Sequence, residues 1–302
     1  AQNVESYAQG TGLRAFRVVG GASINVQIDR LSRGVDVLIA TPGRLIDLIE
    51  RRAIRFDDTS YLVLDEADQM LDIGFIHALR RIAKLLPRDR QTLLFSATMP
   101  KLMEELADSY LTDPVRVEAN PPGRPADKIT QGVHFVNQGD KAALLAEYLA
   151  KHPGELAIVF GRTKHGSEKL SKLLEKWGFK VNAIHGNKSQ GQRERALASF
   201  RAEQTQVLVA TDVAARGIDI PQVAHIYNYD LPNVPENYVH RIGRTARAGR
   251  DGRAVAFCAP AELGELRAIE KTIKAAIPVI GGEVPVGAPA PAGRPSRGAA
   301  PA

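Results

Sequence analysis

The chain has 302 residues, 44% of them hydrophobic and 25% charged, with a formal net charge of +6. Two domains are the natural division at this length, and no apolar run approaches the ~18–20 residues of a membrane span. A single cysteine, Cys258, excludes an internal disulfide and fits a reducing, cytoplasmic setting.

In chain order, the first segment carries Val4, Tyr7 and Ala8 at helical spacing. Short runs rich in Val, Ile and Leu then predict strands at 16–19, 35–40, 61–65, 91–96, 156–161, 180–185, 206–211, 223–228 and 253–258. Helical patterns at 76–86, 99–110, 140–151, 164–177 and 189–201 lie between them. Alternation of apolar strands with helices predicts an α/β fold with parallel sheets covered on both faces. Residues 120–127, Asn-Pro-Pro-Gly-Arg-Pro-Ala-Asp, can continue neither a helix nor a central strand. They are the expected linker between a first domain at 1–119 and a second at 128–276. After about residue 277 the chain turns Gly-, Pro- and Ala-rich, with Arg294 and Arg297, which predicts a disordered tail over 277–302. The charge is uneven, net −2 over residues 1–120 and +8 over 121–302, and the basic excess points toward a polyanion.

Chemistry concentrates at strand ends. Leu62-Val63-Leu64-Asp65-Glu66-Ala67-Asp68 is an apolar run that delivers carboxylates to a sheet edge, where ligands of open α/β sheets sit. An Asp there can hold Mg²⁺ through water, and the next Glu can orient or deprotonate a water. The plainer alternative is a pair of carboxylates capping the following helix. Residues 91–98, Gln-Thr-Leu-Leu-Phe-Ser-Ala-Thr, form a second such strand ending in small hydroxyl residues. In residues 238–250, Tyr-Val-His-Arg-Ile-Gly-Arg-Thr-Ala-Arg-Ala-Gly-Arg, a helix would place His240, Arg244 and Arg247 on one face. Guanidinium groups bind phosphate oxygens bidentately and stay charged. Cys258 lies in the apolar run 254–258, as a buried, inert thiol would. The seven His show no metal-ligand spacing with Cys or with one another.

These motifs resemble those of the DEAD-box ATP-dependent RNA helicases, a superfamily 2 family, and they occur in family order. They are Gly20-Gly21, Thr41-Pro42-Gly43-Arg44, Asp65-Glu66-Ala67-Asp68, Ser96-Ala97-Thr98, Ile158–Thr163, Gln190 with Arg193, Ala210–Asp219, and the arginine segment. Residues 184–191, Ile-His-Gly-Asn-Lys-Ser-Gln-Gly, are similar to the bacterial RhlE-like branch. The resemblance implies two RecA-like domains with parallel sheets, ATP and Mg²⁺ as cofactors, and RNA as partner. It implies that Asp65 holds Mg²⁺ through water, that Glu66 activates the attacking water, and that Arg244 and Arg247 are arginine fingers. Asp68 and His240 would couple the two domains near Ser96 and Thr98, all four counted with the ATP-binding and coupling residues, and Asp219 would contact the ribose. RNA would be held by its backbone, independent of sequence, through Gly20, Gly21, Thr41, Pro42, Gly43, Arg44, Arg162, Gly186, Gln190, Arg193, Thr211 and Arg216. No membrane is implied; ribosome-assembly or RNA-decay factors are the expected protein partners.

One departure is large. No Gly in the chain is followed by Lys, so the Gly-Lys-Ser/Thr phosphate loop of such enzymes is missing, as is the family's adenine-reading glutamine motif. The chain also opens without Met, as if cut in mid-helix. The expectation is a first domain incomplete at its N-terminus and a chain that is inactive as given. Its sheet would expose an apolar edge and face. Two further readings are an RNA-binding scaffold without ATPase activity and a DNA helicase; intact Glu66, Arg244 and Arg247 favour the ATPase.

Overall fold

A computed structural model describes residues 2–72, 74–99, 101–118, 128–215 and 217–285. The chain forms two compact units, 1–122 and 123–302. The expected linker, 120–127, lies outside the described residues.

The first unit runs α1 (Gln2–Ala8), β1 (Ala15–Val18), α2 (Ile24–Leu31), β2 (Val37–Ala40), α3 (Pro42–Glu50), β3 (Tyr61–Leu64), α4 (Ala67–Asp72), α5 (Ile76–Ala83), β4 (Gln91–Leu94) and α6 (Lys101–Tyr110). Its strands pair in parallel as two separate ribbons, β1 with β2 and β3 with β4. Leu64, Leu79, Ile82, Met103 and Leu106 pack one core under β3–β4, and Val18, Leu31 and Leu48 pack another under β1–β2. Full coverage on both faces, expected from the apolar runs, does not hold here, whereas the exposed apolar face expected of the first sheet does. Side chains alternate across a strand, and Tyr61, Val63, Leu93 and Phe95 are all exposed, Tyr61 at 70%. No described helix covers that face of β3–β4.

The second unit runs β5 (Ile129–Phe135), α7 (Lys141–Ala150), β6 (Leu156–Phe160), α8 (Lys164–Lys176), β7 (Val181–Ile184), α9 (Gln190–Arg201), β8 (Val207–Ala210), α10 (Asp212–Ala215), β9 (Val223–Asn228), α11 (Glu236–Ile242), β10 (Gly252–Cys258), α12 (Leu263–Ile273) and β11 (Val279–Gly281). These strands form one parallel seven-stranded sheet in the order β11-β5-β10-β9-β6-β8-β7. Every residue of β6 and β8 is buried, because alternate residues enter two cores. Ile158, Phe160, Leu208 and Ala210 meet Phe200, Tyr238, Ile242 and Ile269 on one face. Ala157, Val159, Val207 and Val209 meet Leu145, Leu149, Leu170 and Leu174 on the other. Cys258 is fully buried, and burial raises its thiol to about 12.

Two strands depart from the sequence reading. β5 went unrecognised because Thr130, Gln131 and Gly132 interrupt its apolar pattern. The tail expected to be disordered from residue 277 begins instead with an ordered strand. Ile277 is buried, the Val133 amide donates to the Pro278 carbonyl at 2.8 Å, and β11 completes the sheet edge. The turn after it needs glycine: Gly282 has φ +73°, and a Cβ there would lie 1.8 Å from the Phe135 carbonyl oxygen. Residues 286–302 of the expected tail lie outside the described residues.

Candidate functional site

In the first unit the carboxylate motif sits where β3 ends and α4 begins. Asp65 is exposed and one of its oxygens accepts the Glu66 amide at 3.0 Å. Glu66 has φ 50°, a left-handed conformation that costs a residue other than glycine roughly 1–3 kcal/mol and clusters at functional positions. The surroundings hold it there. Asp68, 4% exposed, accepts the Thr98 amide at 2.8 Å and the Thr98 hydroxyl at 2.7 Å. The Ala67 amide donates to the Phe95 carbonyl at 3.1 Å, and the Ser96 hydroxyl donates to the Thr98 carbonyl at 2.6 Å. Asp68, Ser96 and Thr98 thus form one buried clamp joining the ends of β3 and β4, with Glu66 raised beside it. Hard carboxylate oxygens at an exposed strand end suit Mg²⁺, which keeps most of its waters, so Asp65 fits the ion expected for it.

The second cluster of this unit lies at the ends of β1 and β2. Thr41 caps α3 with Pro42 in its first turn, and its amide donates to the Val18 carbonyl at 3.1 Å. Arg44 donates from Nη1 to the Ala22 carbonyl at 2.9 Å and pairs with Asp47 at 3.6 Å. Buried Gln27 donates to the Val19 carbonyl at 3.1 Å. The Gly20-Gly21 turn, with Gly21 at φ 77°, is therefore fastened to the Thr41–Arg44 segment. Gly43 packs against Phe75, where a Cβ would stand 3.3 Å from the ring. The structure brings the six expected RNA-contact residues of this unit together, although Arg44 is only 10% exposed and already engaged.

In the second unit Arg162, Gly186 and Thr211 follow the C-terminal ends of β6, β7 and β8, which neighbour one another in the sheet. That is the edge where parallel α/β sheets bind ligands. Gln190 and Arg193 open α9, which Ser189 and Gln192 start with a capping box. Arg193 donates to the Ala214 carbonyl at 3.3 Å. Glu168 anchors the Gly186 loop, accepting from Lys188 and His185, each at 2.8 Å. These partners, Lys188 foremost, lower its carboxyl from the ordinary 4.5 to about 2. Arg216 lies outside the described residues.

The arginine segment is not one helix. α11 ends at Ile242, and Ala246 and Ala248 have positive φ, 57° and 54°. The helical spacing of His240, Arg244 and Arg247 was thus a wrong premise. Arg244 and Arg247 converge by turns instead: each donates from Nη1 to the Ile218 carbonyl, at 3.0 and 3.4 Å. Arg247 also pairs with Asp219 at 2.5 Å. Asp219, Arg244 and Arg247 are therefore one cluster, and His240 stands on the preceding helix, half-buried.

Sequence reasoning missed the charges beneath this edge. Arg241, 2% exposed, holds Asp212 bidentately at 2.5 and 2.9 Å, donates to Asn228 Oδ1 and the Asp230 carbonyl, and lies over the Phe160 ring. Buried Lys141 and Glu262 pair at 2.5 Å, and Glu262 also accepts from Arg162 at 3.1 Å. Two of these residues, Asp212 and Arg241, stand inside segments 210–219 and 238–250 that the motifs single out.

The DEAD/DEAH box helicase family matches residues 1–106, and the helicase conserved C-terminal domain matches residues 140–249. The ATP-dependent RNA helicase CshA of Listeria monocytogenes is 44% identical over 262 residues, covering 87% of this chain and 50% of that protein. The chain belongs to the DEAD-box RNA helicase family. The DEAD-box ATP-dependent RNA helicase CshA of Bacillus subtilis is also 44% identical, over 89% of this chain and 55% of its own length. This DEAD-box chain thus spans about half the length of the curated relatives it matches. Among solved structures, S. cerevisiae Dbp5 bound to RNA and ADP BeF3 aligns with TM-score 0.82 and 30% identity, over 93% of this chain and 73% of that one. The DEAD-box helicase Mss116 bound to ssRNA and UDP-BeF aligns at 0.81 and 29%, over 90% and 58%. The two units are accordingly RecA-like helicase domains, and the family is one of nucleotide users. No described helix is long and apolar enough to cross a membrane.

Proposed function

We propose that this chain is the core of a cytoplasmic ATP-dependent RNA helicase, which opens or remodels RNA locally by coupling RNA binding to ATP hydrolysis. The single observation that carries the reading is Glu66, held in a left-handed turn at a strand end by the Asp68–Thr98 clamp. Strain of this kind needs a reason, and a positioned general base supplies one. Glu66 orients the attacking water and takes its proton. Asp65 would hold Mg²⁺ through water, and that ion, when bound, would supply charge neutralisation at the phosphates. Arg244 and Arg247 offer guanidinium groups to the γ-phosphate, where charge neutralisation is most of the catalysis. Asp219 meets the ribose. Each unit offers the sugar-phosphate chain of RNA a strand-edge cluster of its own, Gly20 to Arg44 in the first and Arg162 to Thr211 in the second. Backbone contacts of this kind carry no base information. The RhlE-like assignment rests on residues 184–191 alone, and ribosome-assembly or RNA-decay factors remain the partner class we favour.

The test is Glu66→Gln in the full-length protein. The amide keeps the size and loses the basic oxygen. ATP turnover should fall at least ~10²-fold, the scale of a lost general base, with ATP-dependent RNA affinity retained. Near-normal turnover would remove Glu66 from this role. Residues 1–302 by themselves contain no Gly-Lys pair to cradle the β- and γ-phosphates. Assayed alone, they should show no RNA-stimulated hydrolysis, as the scaffold reading would also require; the full-length assay separates the two.

A further inference from the structure

We propose that His152, Glu155 and His225 of the second unit form a binding site for a divalent transition-metal ion, with Zn²⁺ as the reference ion. The fold assembles these residues from two distant places. α7 ends at Ala150, and the chain then turns, the His152 amide donating to the Leu149 carbonyl and the Glu155 amide to the His152 carbonyl. Gly154 at φ 84° completes the turn. His152 and Glu155 thereby reach the start of β6, whose Ala157 lies in register with His225 of β9.

The ligand atoms converge. Glu155 Oε2 is 2.6 Å from His225 Nε2, and Glu155 Oε1 is 3.5 Å from His152 Nδ1. One donor atom from each residue lies within 4.8 Å of the others. Tetrahedral zinc with bonds of ~2.0–2.1 Å needs donors roughly 3.3–3.5 Å apart. For the ion to bind, the His225–Glu155 hydrogen bond opens and the imidazole proton moves from Nε2 to Nδ1, which leaves the Nε2 lone pair to the metal. Two imidazoles and one carboxylate are the protein ligands of several zinc sites, with water in the remaining position. Here Glu155 is exposed and His152 half-buried, so an ion and its water can enter.

The rings are held in place. His225 is 3% exposed and stacks on Tyr227, centroids 5.9 Å apart and planes 9° apart. The His152 ring lies 4.3 Å from it. Arg253, in register with His225 on β10, brings a positive charge that opposes the ion. The Glu155 carboxylate stands on the side where the ion would bind and offsets it. The place is separate from the motif residues, which leave the C-terminal ends of the strands. His225 is near the start of β9 and shares its face with Tyr227, in the core that α7 and α8 cover.

The experiment uses full-length protein stripped with a chelator and dialysed. Zn²⁺ is titrated calorimetrically, and Co²⁺ is added in parallel for its visible absorption, which reports tetrahedral nitrogen and oxygen ligation. We expect one equivalent of tight binding. His152→Ala and Glu155→Gln, both at the surface, should each weaken it at least ~10-fold, the least expected for a group that ligates or orients the metal. His165→Ala, an exposed histidine elsewhere, should bind as the parent does. Circular dichroism of each variant confirms folding, and the surface pair keeps the test valid should His225→Ala unfold. Absence of stoichiometric binding would overturn the proposal. So would binding that survives both surface substitutions, because the triad would then be only a hydrogen-bonded brace.

Discussion

The two units are built from the same kind of strand and treat it differently. Leu62-Val63-Leu64 of β3 and Ile158-Val159-Phe160 of β6 are equally apolar, yet Val63 is 57% exposed while Val159 is fully buried. β6 lies in the middle of seven strands with helices on both faces. β3 has one partner strand and a core on one face. An apolar run therefore reports the capacity to be buried, and neighbouring elements decide how much of it is used. The functional edges follow the same division. In the first unit short clamps around Asp68 and Arg44 hold the motifs, whereas in the second a buried charge network around Arg241 and Glu262 does so.

The comparison breaks most directly at matched core positions. Ile158→Ala should cost about 2–5 kcal/mol by leaving a cavity between two packed layers. Val63→Ala should cost no more than about 0.5 kcal/mol, as surface changes do. Urea unfolding of both variants measures the contrast, and equal losses would mean that the β3–β4 face is covered in solution. Next comes Arg241→Met, expected to cost about 3 kcal/mol because Asp212, Asn228 and the Asp230 carbonyl lose their shared donor. The same denaturation experiment reads it, and a neutral result would make the network dispensable.

A smaller effect tests the sheet edge. The second unit as residues 128–285 should unfold cooperatively. Ending it at residue 276 should cost about 2 kcal/mol through loss of buried Ile277 and the β11 pairing. Identical melting of the two would show that β11 adds nothing. The smallest effect concerns pH. Glu168 has a folded-state carboxyl near 2 against an ordinary 4.5. Its contribution is fully present above 4.5 and is lost as pH falls from there toward 2. The group is partly exposed, so the loss should be on the order of 1 kcal/mol. Glu168→Gln should flatten the stability of the second unit over that window; an unchanged slope would assign the acid sensitivity elsewhere.

The sequence by itself determined the elements whose period is local, and the family. β6 and β8 were legible as Val-, Ile- and Leu-rich runs, because a strand buried on both faces favours apolar residues throughout. Helices α5 to α9 were legible from their spacing, and the carboxylate, Ser96–Thr98 and arginine motifs from their order. Tertiary structure decided what depends on partners far along the chain. β5 and β11 exist because the growing sheet supplies neighbours to their backbone groups, β10 and β11 to β5 and β5 to β11, whatever side chains Thr130 or Gly281 bring. Arg244 and Arg247 meet at the Ile218 carbonyl only because Ala246 and Ala248 adopt left-handed turns that no spacing rule anticipates. Arg241 is buried only because Asp212, 29 residues away, satisfies it. His152, Glu155 and His225 have no spacing to read: 70 residues separate Glu155 from His225, and the register of β6 against β9 alone makes them neighbours.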